Sequence, residues 1–328
     1  MLDFSNPASA GFFFDSFLTI GNTYGILKRF EFIKTFTMLI PSEKPGQLAN
    51  RLVLLSHFIA FSLEYNVAVM LHLLDEYTVF FEGPRQGLKI KGKNISHFMD
   101  TFNFTRSLLF YFFEKFSRIM RKSGLSDLYF AKTIYVRTDD PTFIMNNEKN
   151  LSELTSKKLF FLSGWLFRTQ GLVEKYRNFI VEYFKPAKFF RDSAENMIFP
   201  LKKDFKIIVG IHIRRGDYKN FLDGKYFYEI EEYKSAMDKI ADIFGKEKTA
   251  FVVCSNEEID LNDFNGLNVF KGPGHFVADL HTLSLCDYIA GPPSTFSMWA
   301  SFYGQRPLWQ IKNIEQSPIL ESFTIQAI

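Results

Sequence analysis

From Phe205 onward the chain alternates short, almost unbroken apolar runs with longer segments whose apolar residues recur every three or four positions. FKIIVGIHI, TAFVVCSN, LNVFKG and DYIAG are the runs. EIEEYKSAMDKIADIF, between the first two, puts Ile230, Tyr233, Met237, Ile240 and Phe244 on one side of a helix, and ADLHTLSLC and TFSMWASFYG continue the pattern. A strand that is apolar on both faces has to be covered on both faces, and a helix between successive strands supplies the cover. The pattern therefore specifies an α/β fold with a mostly parallel sheet.

A less sharp version of the same alternation occupies the first half. FIKTFTMLI (32–40) reads as a strand and PSEKPGQLAN as the turn into a helix on which Leu48, Leu52, Leu55, Ile59 and Leu63 share a face. Further strands are expected at 66–71, 133–137 and 158–164, followed by a helix over LVEKYRNFIVEYF. Residues 1–31 read as an N-terminal extension. Prolines and charges gather at 183–205, which places a domain boundary there, with one α/β domain over 32–195 and a second over 196–328. A length of 328 residues with 47% apolar composition suffices for two such domains.

Composition excludes some classes. The net charge of +3, from 39 basic and 36 acidic residues, is too evenly mixed to imply a nucleic-acid partner. Cys254 and Cys286 lie in apolar runs far apart and read as core residues. Neither GxxxxGK[ST] nor GxGxxG occurs, which removes P-loop NTPases and ordinary dinucleotide enzymes. Asp139 and Asp140 precede Pro141 and read as a turn rather than a metal motif. His275 and His281 have no metal-site spacing and are expected in a loop and on a helix surface. The start MLDFSNPASA lacks the basic region of a secretory signal, so a cytoplasmic protein is expected. FTRSLLFYFFEKFSRIMRK (104–122) is expected as a buried helix at a domain interface, with peripheral attachment to the inner face of a membrane as the alternative.

Ligands of parallel α/β sheets bind beyond the carboxyl ends of the strands. His212, Arg214, Arg215, Asp217 and Tyr218 follow the strand that begins near Phe205. Alternation turns His212 and Arg214 one way and Arg215 the other, so the two arginines are expected to do different work. One would grip a phosphate as a fork; the other would hold Asp217 or a distant carboxylate. A purely structural ion-pair network is the competing reading. In GPPSTFSMWASFYG (291–304), Ser294 is an expected helix N-cap and the helix start a second phosphate seat.

HIRRGDY resembles the HxRRxD signature of the α-1,2-fucosyltransferases, bacterial type, grouped as glycosyltransferase family 11, and of the related α-1,6- and protein O-fucosyltransferases. SLCDYIAGPPSTFSMWASFYG is similar to that family's Asp, then Ser-Thr-Phe-Ser-Trp-Trp block, with Met298 in place of the first tryptophan. PGQLANRL resembles its early Gly-Gly-Leu-Gly-Asn-Gln turn, departing at Gln47, Ala49 and Arg51. The resemblance runs over roughly residues 35 to 305. It implies a GT-B-like glycosyltransferase with two Rossmann-like domains facing across a cleft, and inverting transfer of L-fucose from GDP-β-L-fucose to a galactose hydroxyl without a metal or other cofactor. The partners are then a nucleotide sugar and a glycan acceptor; oligomeric state is left open.

Carried to this chain, the resemblance gives Arg214 or Arg215 to the β-phosphate, with Arg214 favoured as the more exposed. His212 and Asp217 would frame the donor or order that arginine, and Ser294, Thr295 and Phe296 would complete the diphosphate and sugar site. Gly46 and Asn50 would reach across from the first turn. Asp279 and the loop Ser255, Asn256, Glu257 are candidates for guanine and ribose. Asp217 serves as general base only if the turn presents it to the acceptor hydroxyl. Two alternatives stay open: another GDP-sugar or acceptor, signalled by Ala49, Arg51 and Met298, and a non-catalytic nucleotide-sugar-binding protein.

Overall fold

The structure, a computed structural model, describes residues 37–86, 89–90, 93–94, 103–156 and 158–328. The extension expected over 1–31 and the first residues of the strand expected at 32–40 lie outside them.

The first half contains β1 (Met38–Pro41), α1 (Leu48–Tyr65), β2 (Ala68–Val69), α2 (Asn103–Lys122), β3 (Ala131–Tyr135) and β4 (Leu159–Ser163). Its sheet has the order β2-β1-β4-β3 and is parallel throughout, with Leu39 opposite Val69 on one side and Phe160 on the other. The strand expected at 66–71 is only two residues long, and the one expected at 133–137 begins at Ala131. LVEKYRNFIVEYF forms two short helices, Leu172–Lys175 and Arg177–Tyr183. The break falls at Tyr176, whose hydroxyl donates to Glu64 of α1 at 2.8 Å.

The apolar surface of α1 is wider than the single expected stripe: residues from Leu48 to Ser62 are buried almost without interruption, while Leu63 is half-buried. The cause is that α1 covers the first sheet and also packs on a helix of the second half, and a helix buried all round carries no strong amphipathic signal. The expectation of a buried interface helix over 104–122 does not hold. In α2, Phe113 and Phe116 pack on Phe161 of β4, with ring centroids 5.9 and 4.9 Å apart, and Met120 is buried. The opposite face, with Tyr111, Phe112 and Ile119, is exposed.

The second half contains α3 (Lys188–Asp204), β5 (Ile207–Ile213), α4 (Ile230–Phe244), β6 (Thr249–Ser255), β7 (Asn268–Lys271), α5 (Phe276–Leu285), β8 (Tyr288–Gly291), α6 (Thr295–Gly304) and β9 (Leu308–Gln310). The sheet order is β7-β6-β5-β8-β9, again all parallel. The 195/196 division falls inside α3, which runs unbroken and packs on α5. Pro186 stands just ahead of that helix and Pro200 near its end, so the prolines frame a helix there.

Along β5, Val209, Ile211 and Ile213 join the core under α4, made by Tyr233, Met237 and Ile240. Ile208 packs with Ile198 and Leu201 of α3, and Gly210 approaches Leu283 of α5. Both faces of the strand are thus covered, as its unbroken apolar run requires. His281 was expected on a helix surface but is buried, because α5 is flanked by α3 and α6. Cys254 and Cys286 are buried free thiols. Asp140 accepts from the backbone N–H of Arg137 at 2.7 Å, in the expected turn.

α5 and α6 approach so closely that Gly304 has no room for a side chain. A Cβ there would sit against the Ser284 carbonyl, 2.8 Å from its carbon, and backbone cannot give way as a side chain can. Gly304→Ala is therefore expected to destabilise the fold by about 2–3 kcal/mol. Thermal unfolding followed by circular dichroism should show a fall of roughly 5 °C; an unchanged midpoint would contradict the close packing of these helices.

Candidate active site

In the second sheet the chain leaves β5 toward β6 and β7 on one side and returns to β8 and β9 on the other. Connections from the ends of β5 and β8 diverge, and such a switch point is where parallel α/β sheets place a ligand crevice. Gly291, at the end of β8, stands beside His212: a Cβ there would lie 2.6 Å from the His212 carbonyl oxygen, so the two strand ends meet only through glycine. His212 is 4% exposed, and its ring packs on Phe296 of α6 with centroids 4.9 Å apart. Burial, together with the nearby Arg214 charge, pushes its pKa down to about 3. His212 is therefore neutral near pH 7, and its Nδ1 has no partner among the described residues.

The divergence of the two arginines is present. Arg214 turns toward the first half: Nη2 donates to Asp217 Oδ2 at 2.8 Å and to Gln47 Oε1 at 3.2 Å. Arg215 turns to the α4 side, pairing with Glu229 at 2.7 Å and Glu257 at 3.4 Å and lying 4.9 Å from the Phe227 ring centre. Exposure does not separate them, at 18% and 20% of the side chain, so the expectation that Arg214 is the more exposed is not met. Partners do separate them. Arg215 is bound by two carboxylates, one of which, Glu229, caps α4; Arg214 has one carboxylate and a neutral amide.

Ser294 caps α6 as expected, its Oγ accepting from the Phe296 N–H at 3.2 Å. The remaining first-turn N–H groups are those a helix start offers to an anion. Thr295 Oγ1 donates to Asn50 Oδ1 of α1 at 2.7 Å, so the first turn and α6 meet directly. Gly46 lies at the head of that turn, with φ +44°, and the buried Arg51 donates to its carbonyl through Nε (3.4 Å) and Nη2 (3.3 Å). Arg51 also reaches Leu73 O and Glu76, which makes it a clamp on the turn. Ala49 is buried and Met298 packs against the core, so these two departures from the family pattern, like Arg51, lie in packing, whereas the fourth, Gln47, reaches Arg214.

Asp279, Ser255 and Glu257 line one small cavity at the ends of β6 and β7, together with Ile259, Lys271, Gly272 and Gly274. Asp279 is 4% exposed and accepts from the Gly274 N–H at 2.9 Å, while burial pushes its pKa up to about 6. Asn256 is used elsewhere. Its Oδ1 accepts from the Arg215 N–H at 3.2 Å, and Glu257 Oε1 accepts from the Gly216 N–H at 2.9 Å, so this loop holds the arginine turn in shape. His275 caps α5, its Nδ1 accepting from the Val277 N–H.

Two contributors were not legible as such. Gln47 stands out in the sequence only as a departure from a family turn, yet it is the first-half residue that meets Arg214. Tyr218 directly follows Asp217; its hydroxyl donates to the Pro293 carbonyl at 2.7 Å and its ring lies under Arg214, 5.7 Å from the guanidinium carbon. It ties the arginine turn to the start of α6. Among the described residues no group of three or more His, Cys, Asp or Glu could hold a metal ion, and no helix is long and apolar enough to cross a membrane.

No curated protein sequence matches the chain. Among solved structures, a mutant of Arabidopsis thaliana FUT1 in complex with GDP is similar over 94% of this chain and 79% of its own, with a TM-score of 0.55 at 13% identity. The fucosyltransferase NodZ from Bradyrhizobium is similar over 84% of this chain and 96% of its own, with a TM-score of 0.50 at 12% identity. The likeness is one of fold, a mixed α/β fold related to GT-B fucosyltransferases. The profile described as glycosyl transferase family 11 matches residues 125–319, which include HIRRGDY and GPPSTFS on either side of the crevice but not PGQLANRL. Since the match spans more than half of the 328 residues, the protein is a glycosyltransferase and belongs to glycosyl transferase family 11.

Proposed function

We propose that the chain transfers L-fucose from GDP-β-L-fucose to a galactose hydroxyl, with inversion, without a metal, and in α-1,2 linkage on an oligosaccharide or surface-glycan precursor. The observation that carries this reading is the convergence of three things at one crevice. These are the Arg214 fork, the start of α6, and the first-turn residues Gln47 and Asn50 that reach both. The proposal takes the molecule as two Rossmann-like domains facing across a cleft, about 32–195 on the acceptor side and 196–328 on the donor side. Two separate parallel sheets support that division. GDP in the FUT1 complex and the name fucosyltransferase for NodZ support the donor.

As the anomeric bond stretches, negative charge gathers on GDP and positive charge on the sugar ring. A cation and helix N–H groups held at the β-phosphate stabilise that state more than the ground state. Arg214 and the start of α6 supply them, with Thr295 and Phe296 beside the sugar. Asp217 fixes one edge of the Arg214 fork. Neutral, buried His212 and the Phe296 ring packed on it wall the site off from water. The acceptor hydroxyl attacks from the opposite face, on the side of Gly46 and Asn50; its oxygen bonds the anomeric carbon as the bond to GDP breaks, and its proton leaves to solvent. Asp279 accepts from the guanine N1–H and amino groups, with Ser255 and Glu257 near the ribose.

Asp279→Asn separates binding from stability. Asparagine donates where guanine also donates, so GDP affinity should fall about tenfold or more. Stability should move the other way. The folded-state pKa is raised, so stability from this group is present below about 3.8 and lost as pH rises through about 6. Removing the buried charge is then worth up to about 3 kcal/mol at pH 8. Calorimetry and thermal melts check the two halves; a variant with undiminished GDP affinity would remove Asp279 from the base site.

The proposal as a whole is tested by GDP release from GDP-fucose in EDTA, with and without a β-galactoside, followed by linkage analysis of the product. Acceptor-dependent release and a 2-linked fucosyl galactose are expected. Turnover of GDP-mannose but not GDP-fucose, or a 6-linked product, would overturn it.

A further inference from the structure

Charge is unevenly distributed along this nearly neutral chain. Residues 85–122 hold nine Lys and Arg against two Asp and Glu, a net of +7, while the rest of the chain nets −4. The described part of that segment is mostly α2, whose exposed face carries both charge and apolar surface. Tyr111, Lys115, Arg118 and Lys122 follow one another at steps of four, three and four, and so form one stripe. Phe112 and Ile119, seven apart, run alongside. Ile119 is 63% exposed, Tyr111 52% and Phe112 51%. The other side of the helix is taken by the first sheet, so these residues have no core to join. Leu125 (54% exposed) and Tyr129 (83%) follow the helix in the chain. The one acidic residue in the described part of α2, Glu114, is neutralised by Arg118.

We propose that this face docks on an anionic lipid bilayer. Long basic side chains reach lipid phosphates, while tyrosine, phenylalanine and isoleucine beside them enter the headgroup and upper acyl region. Exposed aliphatic groups gain nothing from a nucleic acid, and a second copy of the chain would oppose like charges. Attachment is to the surface, since no described helix can span a bilayer. The helix lies beside the first turn: Lys44, two residues before Gly46, stands 4.7 Å from the ring centre of Phe110. The claim concerns the surface alone and stands or falls independently of which sugar is transferred.

Co-sedimentation of the full chain with vesicles of phosphatidylcholine, alone or in equal parts with phosphatidylglycerol, tests it. Binding is expected to the mixed vesicles only, and to fall about tenfold or more on raising the salt. The triple variant Lys115→Gln, Arg118→Gln, Lys122→Gln should weaken it by about tenfold or more; Tyr111→Ser with Phe112→Ser and Ile119→Ser should weaken it as well. Both variants alter exposed positions, so an unchanged circular dichroism spectrum and melt confirm that each is folded. Absence of binding, equal binding to both lipids, no effect of either variant, or equally tight binding to duplex DNA would overturn the proposal.

Discussion

Replacing Arg214 with alanine should leave about one part in a hundred or less of the transfer rate and almost all of the stability. The loss corresponds to about 3 kcal/mol, typical of removing one donor that acts mainly in the transition state. The effect should fall on kcat more than on the donor KM, because charge accumulates on the leaving phosphate only as the bond breaks. Arg214→Lys keeps the charge but cannot hold Asp217 and Gln47 at once, so it should recover only part of the rate. Arg215→Ala provides the contrast. That side chain joins the α4 cap Glu229 to Glu257, so its loss should lower stability by about 1 kcal/mol, since these pairs are partly exposed. Steady-state kinetics alongside thermal melts resolve the two. Full activity in Arg214→Ala would end its assignment to the β-phosphate.

Acidification should unfold the protein between about pH 4 and pH 5, because buried histidines hold neutral positions in it. His57 and His212 are pushed down to about 3, and His72 and His281 to about 4, in each case chiefly by burial. A folded pKa below the unfolded value of 6.5 means stability that is complete above 6.5 and lost as pH falls, since the unfolded chain takes up protons that the native core refuses. At pH 5 each group has removed about 2 kcal/mol, or about 8 together. Asp279 opposes them with about 1 kcal/mol, because its folded pKa is raised. The remaining loss of about 7 is comparable with the whole stability of a typical domain. Intrinsic fluorescence and circular dichroism across pH 7 to 3.5 would follow the transition, with a net uptake of about three protons on unfolding, the histidines taking up nearly four and Asp279 releasing about one. A protein still fully folded at pH 4 would contradict the burial of these rings.

The readable parts of the sequence were those where one physical requirement dominates. β5, α4 and β6 were legible because an unbroken apolar strand and a clean helical stripe each admit a single placement, whereas α5, buried from Val277 to Ser284, hid which side its His281 would take. β2 was not, since a two-residue strand leaves no periodicity. The Phe-rich run of α2 looked buried because phenylalanine occurs all round it; which face the sheet covers depends on tertiary contact with Phe161 of β4, 45 positions beyond Phe116. Within the site, the order His212, Arg214, Arg215 dictated opposite directions for the arginines, and Ser294 announced its own cap. Their partners did not announce themselves. Gln47, Glu229 and Tyr218 become relevant only when distant segments meet, and relative exposure of the arginines, the criterion available from sequence, turned out not to distinguish them.

The central claim is that a guanosine diphosphate binds with its phosphates at Arg214 and the start of α6 and its base at Asp279, in the cavity at the ends of β6 and β7, without a metal. Calorimetric titration of the protein in EDTA with GDP, ADP and UDP tests it most directly. The account predicts a single GDP site, preferred over ADP by about a hundredfold or more, since buried Asp279 would face unmatched groups on adenine. Equal affinity for the three nucleotides, binding only after a divalent ion is restored, or no binding at all would contradict it.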